Sequence, residues 1–145
     1  MPRSTPYFAI LRSLVIASAA FAAAACGGSN NILNPTPGTP PTSVTESFTA
    51  TITVNGASTQ PFTVSTIGTV SAKLSALSPD DTVTVGLSLG TWNGAACALT
   101  ITNDAAVLNT TVTGTAQTVG QFCARVYDVG KLAAATDYTI DITHF

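Results

Sequence analysis

Few side chains in this chain could do covalent or ligand chemistry. There are three cysteines (Cys26, Cys97, Cys123), one histidine (His144), seven scattered acids and one tryptophan. A Ser-His-Asp triad would have to use His144. That residue is the last of the final strand-like segment, where fraying and a plain surface side chain are expected, and the Gly-x-Ser-x-Gly turn of many serine hydrolases does not occur. Asp80-Asp81 could offer oxygens to a hard cation, but Ser78-Pro79-Asp80-Asp81 reads as a turn that needs none. Cys97 and Cys123 have no nearby histidine and lack the spacing of a zinc site, so no metal or cofactor is expected. Trp92, followed by Asn93-Gly94, is the candidate ligand-binding position, since an exposed tryptophan can stack on a sugar ring. The other reading of Trp92 is a cap on the core beside Cys97. Arg125, within a strand-like run, is expected to pair with an acid or to lie over an aromatic ring such as Tyr127. On these residues the chain is not expected to be an enzyme; a secreted hydrolase is the remote alternative.

The N-terminus reads as an export signal. Arg3 and Arg12 precede a charge-free apolar run, Ser13 to Ala25, which is too short to span a bilayer and has the length of a signal-peptide core. Ala23-Ala24-Ala25-Cys26 resembles the bacterial lipobox, with Ala23 where leucine is usual. That resemblance implies a signal peptide over 1–25, a diacylglycerol on the Cys26 thiol and often a third chain on its amine, enough to hold a protein on a membrane. Gly27 stands where an aspartate would favour inner-membrane retention, so an outer-membrane anchor is favoured. Ordinary cleavage within the alanine run, giving a secreted protein, is the alternative. With Cys26 at the lipobox, Cys97 and Cys123 remain, and an oxidising compartment would join them. Two buried free thiols are the competing reading.

Residues 26–45 hold Pro35, Pro37, Pro40 and Pro41 among Gly, Ser, Asn and Thr, the composition of a disordered linker. The remaining stretch, 46–145, is one domain of about 100 residues. After the leader, three basic residues face seven acids, a net charge of −4, so the chain has no basic patch for nucleic acid. Threonine, serine and valine replace the missing charge, and period-2 alternation predicts strands near 46–54, 60–65, 70–75, 83–89, 97–102, 106–113, 121–127 and 137–144. Asn55-Gly56 has the residue types of a tight turn, and Trp92-Asn93-Gly94 reads as a loop. The best helical window, Lys131 to Ala135, is too short to stand alone. About eight antiparallel strands at near-regular spacing predict an all-β protein with a single β-sandwich, jelly-roll-like in order. One conflict remains. Cys97 shares parity with Leu99 and Ile101, but Cys123 shares it with Arg125 and Tyr127, so one cysteine is expected at a strand end or bulge.

The stretch Gly120-Gln121-Phe122-Cys123-Ala124-Arg125-Val126-Tyr127-Asp128, followed by Asp137-Tyr138-Thr139-Ile140-Asp141-Ile142, resembles the end of bacterial pre-peptidase C-terminal (PPC-like) domains. Phe62 and Gly68-Thr69-Val70 are similar to the opening strands of that family. The resemblance implies a jelly-roll-like sandwich without catalytic residues, often an accessory to secreted enzymes. Val83-Thr84-Val85-Gly86-Leu87 departs from the Asp-rich strand of many members, so no calcium site carries over. The expectation is a lipid-anchored cell-envelope protein whose domain serves as a structural or protein-interaction module. Its partners would be the membrane, through the lipid, and an envelope protein or polysaccharide. The alternative is a carbohydrate-binding module using Trp92 and nearby loops.

Overall fold

Alternating threonine and apolar residues, interrupted by Gly, Asn and Pro, fold into eight antiparallel strands. They are β1 (Val44–Ile52), β2 (Ala57–Val64), β3 (Gly68–Ser78), β4 (Val85–Trp92), β5 (Cys97–Ala106), β6 (Thr111–Ala116), β7 (Gly120–Tyr127) and β8 (Thr136–His144). The computed structural model describes residues 38–145. The expected signal peptide (1–25), Cys26 and the linker through residue 37 lie outside the described residues. No helix occurs among the described residues, and 131–135 is loop.

The strands form two four-stranded sheets, ordered β1-β8-β3-β6 and β2-β7-β4-β5. This is the jelly-roll order, and the expected all-β sandwich is what the chain forms. Only the β4–β5 link joins neighbours within a sheet; the other connections cross between sheets. The core follows the strand parity. Ile52, Val64, Leu74, Val85, Leu87, Val126, Tyr138, Ile140 and Ile142 are each at most 1% exposed and pack between the sheets.

The outer face of the first sheet shows what replaces charge. Hydroxyls pair across β1 and β8: Thr45 with Thr143 at 2.8 Å and Thr49 with Thr139 at 3.0 Å. Between those pairs Ser47 donates to Asp141, and Thr51 donates to Asp137. Each such cross-strand pair contributes on the order of 0.2–1 kcal/mol.

Several expectations need correction. The tight turn expected at Asn55-Gly56 does form, with Gly56 N donating to Thr53 O at 2.8 Å, but it links strands of different sheets and so closes no hairpin. Asn55 takes the positive φ (58°), and at Gly56 a Cβ would meet Thr53 Oγ1 at 2.4 Å and the fixed backbone oxygen of Thr53 at 2.9 Å. The crossing is held further by Asp128, whose carboxylate accepts N–H bonds from Asn55 (2.8 Å), Gly130 (2.8 Å), Lys131 (2.9 Å) and Leu132 (3.1 Å). The bond from Asn55 is the largest of the causes that hold its pKa below the usual carboxylate range. The fifth and sixth strands divide later than expected. Residues 107–110 turn, with Asn109 at φ 69°, so Ala106 ends β5 and β6 starts at Thr111. The fourth strand runs from Val85 to Trp92 and is buried on both faces from Val85 to Gly90.

Candidate functional site

The register places Tyr127, Arg125 and Cys123 of β7 opposite Gly86, Ser88 and Gly90 of β4. Leu87 and Leu89 of β4 belong to the core, so these opposed residues share the outer face of the second sheet. β4 is therefore glycine and serine where the side chains of β7 cross it. A Cβ on Gly86 would stand 2.1 Å from Tyr127 Cζ, which means that the phenol ring lies flat against the strand.

At Gly90 the covering group is backbone. A Cβ there would meet Ala98 O at 2.2 Å, Ala98 C at 2.8 Å and Leu99 Cα at 2.9 Å. The register explains this closeness. Leu89 pairs with Ile101 but Gly90 pairs with Leu99, so β5 carries a bulge at Thr100. Beyond the bulge, the start of β5 leans across Gly90 and reaches β7. Cys97 and Cys123 form a disulfide with a Cα–Cα distance of 5.9 Å. Strands two apart in a flat sheet are about 9.5 Å distant, beyond the reach of such a bond, so the bulge and the bare Gly90 make it attainable. The parity conflict is thereby resolved: Cys123 keeps its outward parity, and Cys97 is the strand-end residue past the bulge.

Trp92 ends β4 and pairs with Cys97 in register. It is half-buried, lies outside the central core cluster, and is part of a strand rather than a loop. Asn93 shapes the hairpin. Its side-chain oxygen accepts from Ala95 N (2.9 Å) and Ala96 N (2.8 Å), and Gly94 takes φ 95°. The Asn93 side-chain oxygen beside Trp92 is thus committed to the turn and not to a ligand.

Tyr127 donates its hydroxyl to Asp104, and Arg125 Cζ lies 5.8 Å from the Tyr127 ring centroid. Of the two arrangements expected for Arg125, the structure shows the one over the ring. Burial first, then the bond to Asp104 and its negative charge, push the Tyr127 hydroxyl up to about 12, partly offset by Arg125. A raised pKa means that the folded state holds the proton more tightly. The stability this contributes is full below pH 10 and is lost as pH rises through about 12. In an alkaline titration followed by phenolate absorbance, a step near pH 12 should disappear in Tyr127→Phe. In Asp104→Ala it should fall only part of the way toward 10, because burial, the largest single cause, remains.

His144 is not a surface residue. It is 4% exposed, its Nε2 lies 3.0 Å from Glu46 Oε1, and its ring centroid is 5.3 Å from that of Phe62. The chain end does not fray there, because Ser65 N and Thr66 N donate to Phe145 O at 2.9 and 3.1 Å. Asp80 Oδ1 accepts from Thr82 N (2.8 Å) and Thr82 Oγ1 (2.6 Å), bonds that lower its pKa, the side-chain bond most. It acts as a turn residue. Among the described residues no three His, Cys, Asp or Glu side chains gather as a metal cluster.

A cleft of about 240 Å³ enters the sandwich between β4–β5 and β6. Its walls are Phe62, Val70, Leu89, Ile101 and Phe122, and Gln117 and Thr118 of the β6–β7 connection line it. No lining residue is charged. The sequence pattern marked these apolar residues as core and carried no sign of the opening, because that depends on which edge strands face each other.

No family model matches the chain, and no curated protein does. Among solved structures, the chain is similar to the crystal structure of the Yersinia pseudotuberculosis-derived mitogen. Identity is 16%, the TM-score is 0.53, and the match covers 70% of this chain and 86% of that one. At that identity the likeness speaks for the shared β-sandwich alone.

Proposed function

We propose that the chain is a non-catalytic, lipid-anchored protein of the cell envelope, whose β-sandwich serves as a structural or protein-interaction module. The observation that carries this reading is the pairing of the cysteines. Cys97 and Cys123 are bonded to each other, which suits an oxidising compartment. That leaves Cys26, at the end of the apolar leader, as the third cysteine. The lipobox resemblance gives it a role, and the outer membrane is the favoured site. The PPC-like resemblance supports an accessory role. Carbohydrate binding through Trp92 stands second: the ring is half-buried, but Asn93 serves the hairpin.

Intact-mass analysis of the protein from its native envelope tests the proposal. The expected product starts at Cys26 and carries acyl chains, and it gains two hydrogens on reduction of the disulfide. Cys26→Ser is expected to abolish acylation. A mature form that retains residues 1–25 would overturn the proposal.

A further inference from the structure

Strand register gathers one set of connections at one end of the sandwich. Val44 pairs with His144, Gly68 with Ala116, Val64 with Gly120 and Thr91 with Phe122. The start of β1, the end of β8 and the β2–β3, β4–β5 and β6–β7 connections therefore share that end. It is where the chain from residue 43 and before enters the domain. None of those three connections (65–67, 93–96, 117–119) contains a charged residue. Ile67 is 61% exposed, Val119 60% and Val44 51%. The uncharged cleft lies beside Gln117 and Thr118 at the same end.

The opposite end has the reverse character. Its connections hold Asp80, Asp81, Asp128 and Lys131, and Asp104 and Asp137 stand near it. Val54 and Val107 are also exposed there, at 44% each, but they sit among those charges. Glu46 also lies at the first end, where it is paired with His144. The domain thus has an aliphatic pole poor in charge and an acidic pole.

We propose that the aliphatic pole is a lipid-facing surface that rests on the bilayer, with Ile67 and Val119 as its inserting side chains. This deepens the lipid-anchor reading and rests on it. Two observations choose a bilayer as the occupant. The chain leading back to Cys26 enters at this pole, and the 18 residues from Cys26 to Val44 can reach no farther than about 65 Å. A surface held that near needs only a weak affinity to be occupied. Charge also orients the domain, since anionic lipid repels the acidic pole with its five aspartates far more than the aliphatic pole, whose acid Glu46 is paired with His144. Exposed aliphatic side chains gain by entering the acyl boundary, and no ionised group in the three connections opposes it.

Trp92 is the single tryptophan and stands at this pole, so its emission reports contact. The envelope-purified protein is reconstituted into vesicles of phosphatidylethanolamine and phosphatidylglycerol, with and without bromine on the acyl chains. Trp92 emission should shift to the blue and fall about twofold with brominated lipid. Ile67→Asp with Val119→Asp should remove that quenching while the β-sheet circular dichroism and the disulfide persist. Val54→Asp, at the acidic pole, should leave it intact. Emission indifferent to bromine would overturn the proposal, as would quenching that survives the double aspartate. So would a Trp92 response to envelope polysaccharide but not to vesicles. Mass analysis separates this from the anchor. An acylated chain whose Trp92 ignores bromine keeps the anchor and removes the docking. An unacylated chain removes the anchor, and the docking then falls unless the same Ile67- and Val119-dependent quenching appears on adding the chain to preformed vesicles.

Discussion

Adding one methyl group at Gly90 is expected to destabilise the domain by about 3 kcal/mol, the upper end of what overpacking costs. The new Cβ would sit 2.2 Å from Ala98 O and 2.9 Å from Leu99 Cα. Both are backbone atoms of a bulged strand that the disulfide holds in place. They can move away only if the start of β5 lifts off β4. Two other glycine-to-alanine changes serve as comparisons. At Gly114 the Cβ would meet Ile101 Cδ1 at 2.6 Å, the tip of a flexible side chain that can turn aside at a cost of about 1 kcal/mol. At Gly86 the Tyr127 ring would have to swing off the strand and leave Asp104, a cost of about 2 kcal/mol. Urea denaturation of the three variants should rank Gly90→Ala as the worst, then Gly86→Ala, then Gly114→Ala. Each also gains a few tenths of a kcal/mol from a less flexible unfolded chain, which leaves the ranking unchanged. Equal midpoints for Gly90→Ala and Gly114→Ala would show that β5 does not press on β4 as described.

The importance of Gly90 could not be read from its neighbours in sequence. Alternation of Val85, Leu87 and Leu89 marks the inward face of β4 without difficulty. The outward face reads as a weak, exposed strand until Tyr127, Arg125 and Cys123 are known to lie beside it, and that pairing joins residues more than 30 positions apart. The turns teach the same lesson. The chain contains Asn55-Gly56 and Asn93-Gly94, two local signals of the same kind. Only the second closes a hairpin, because the inward side chains of β1 and β2 need opposite sheets to face each other. The sandwich and its eight strands were legible because they follow from period-2 patterning, and the disulfide partners because the lipobox resemblance set Cys26 aside from the other two thiols. His144 was not. Its burial depends on Glu46 and Phe62, 98 and 82 residues away, and on the loop that ties down Phe145. Trp92 and Asn93 were legible as a conspicuous pair, but the structure brings Asn93 to the hairpin backbone instead of to a shared ligand surface.

Replacing both cysteines by alanine should lower stability by about 3.5 kcal/mol, since the bond closes a loop over a sequence separation of 26. For a domain of this size that corresponds to a fall in Tm on the order of 15–25 °C. Thermal and urea unfolding of Cys97→Ala with Cys123→Ala measure it. The urea m-value should rise as well, because the unlinked chain exposes more surface when it unfolds. The pair also tests the account of Gly90. If the disulfide is what holds β5 down on β4, the cost of Gly90→Ala should shrink in the cysteine-free background, where the first residues of β5 are free to lift. A double-mutant cycle between the glycine and the bridge should then give a coupling on the order of 1 kcal/mol or more. Strict additivity would mean that the bulge at Thr100 presses the strand down by itself, and that the bond only records a geometry the sheet already has.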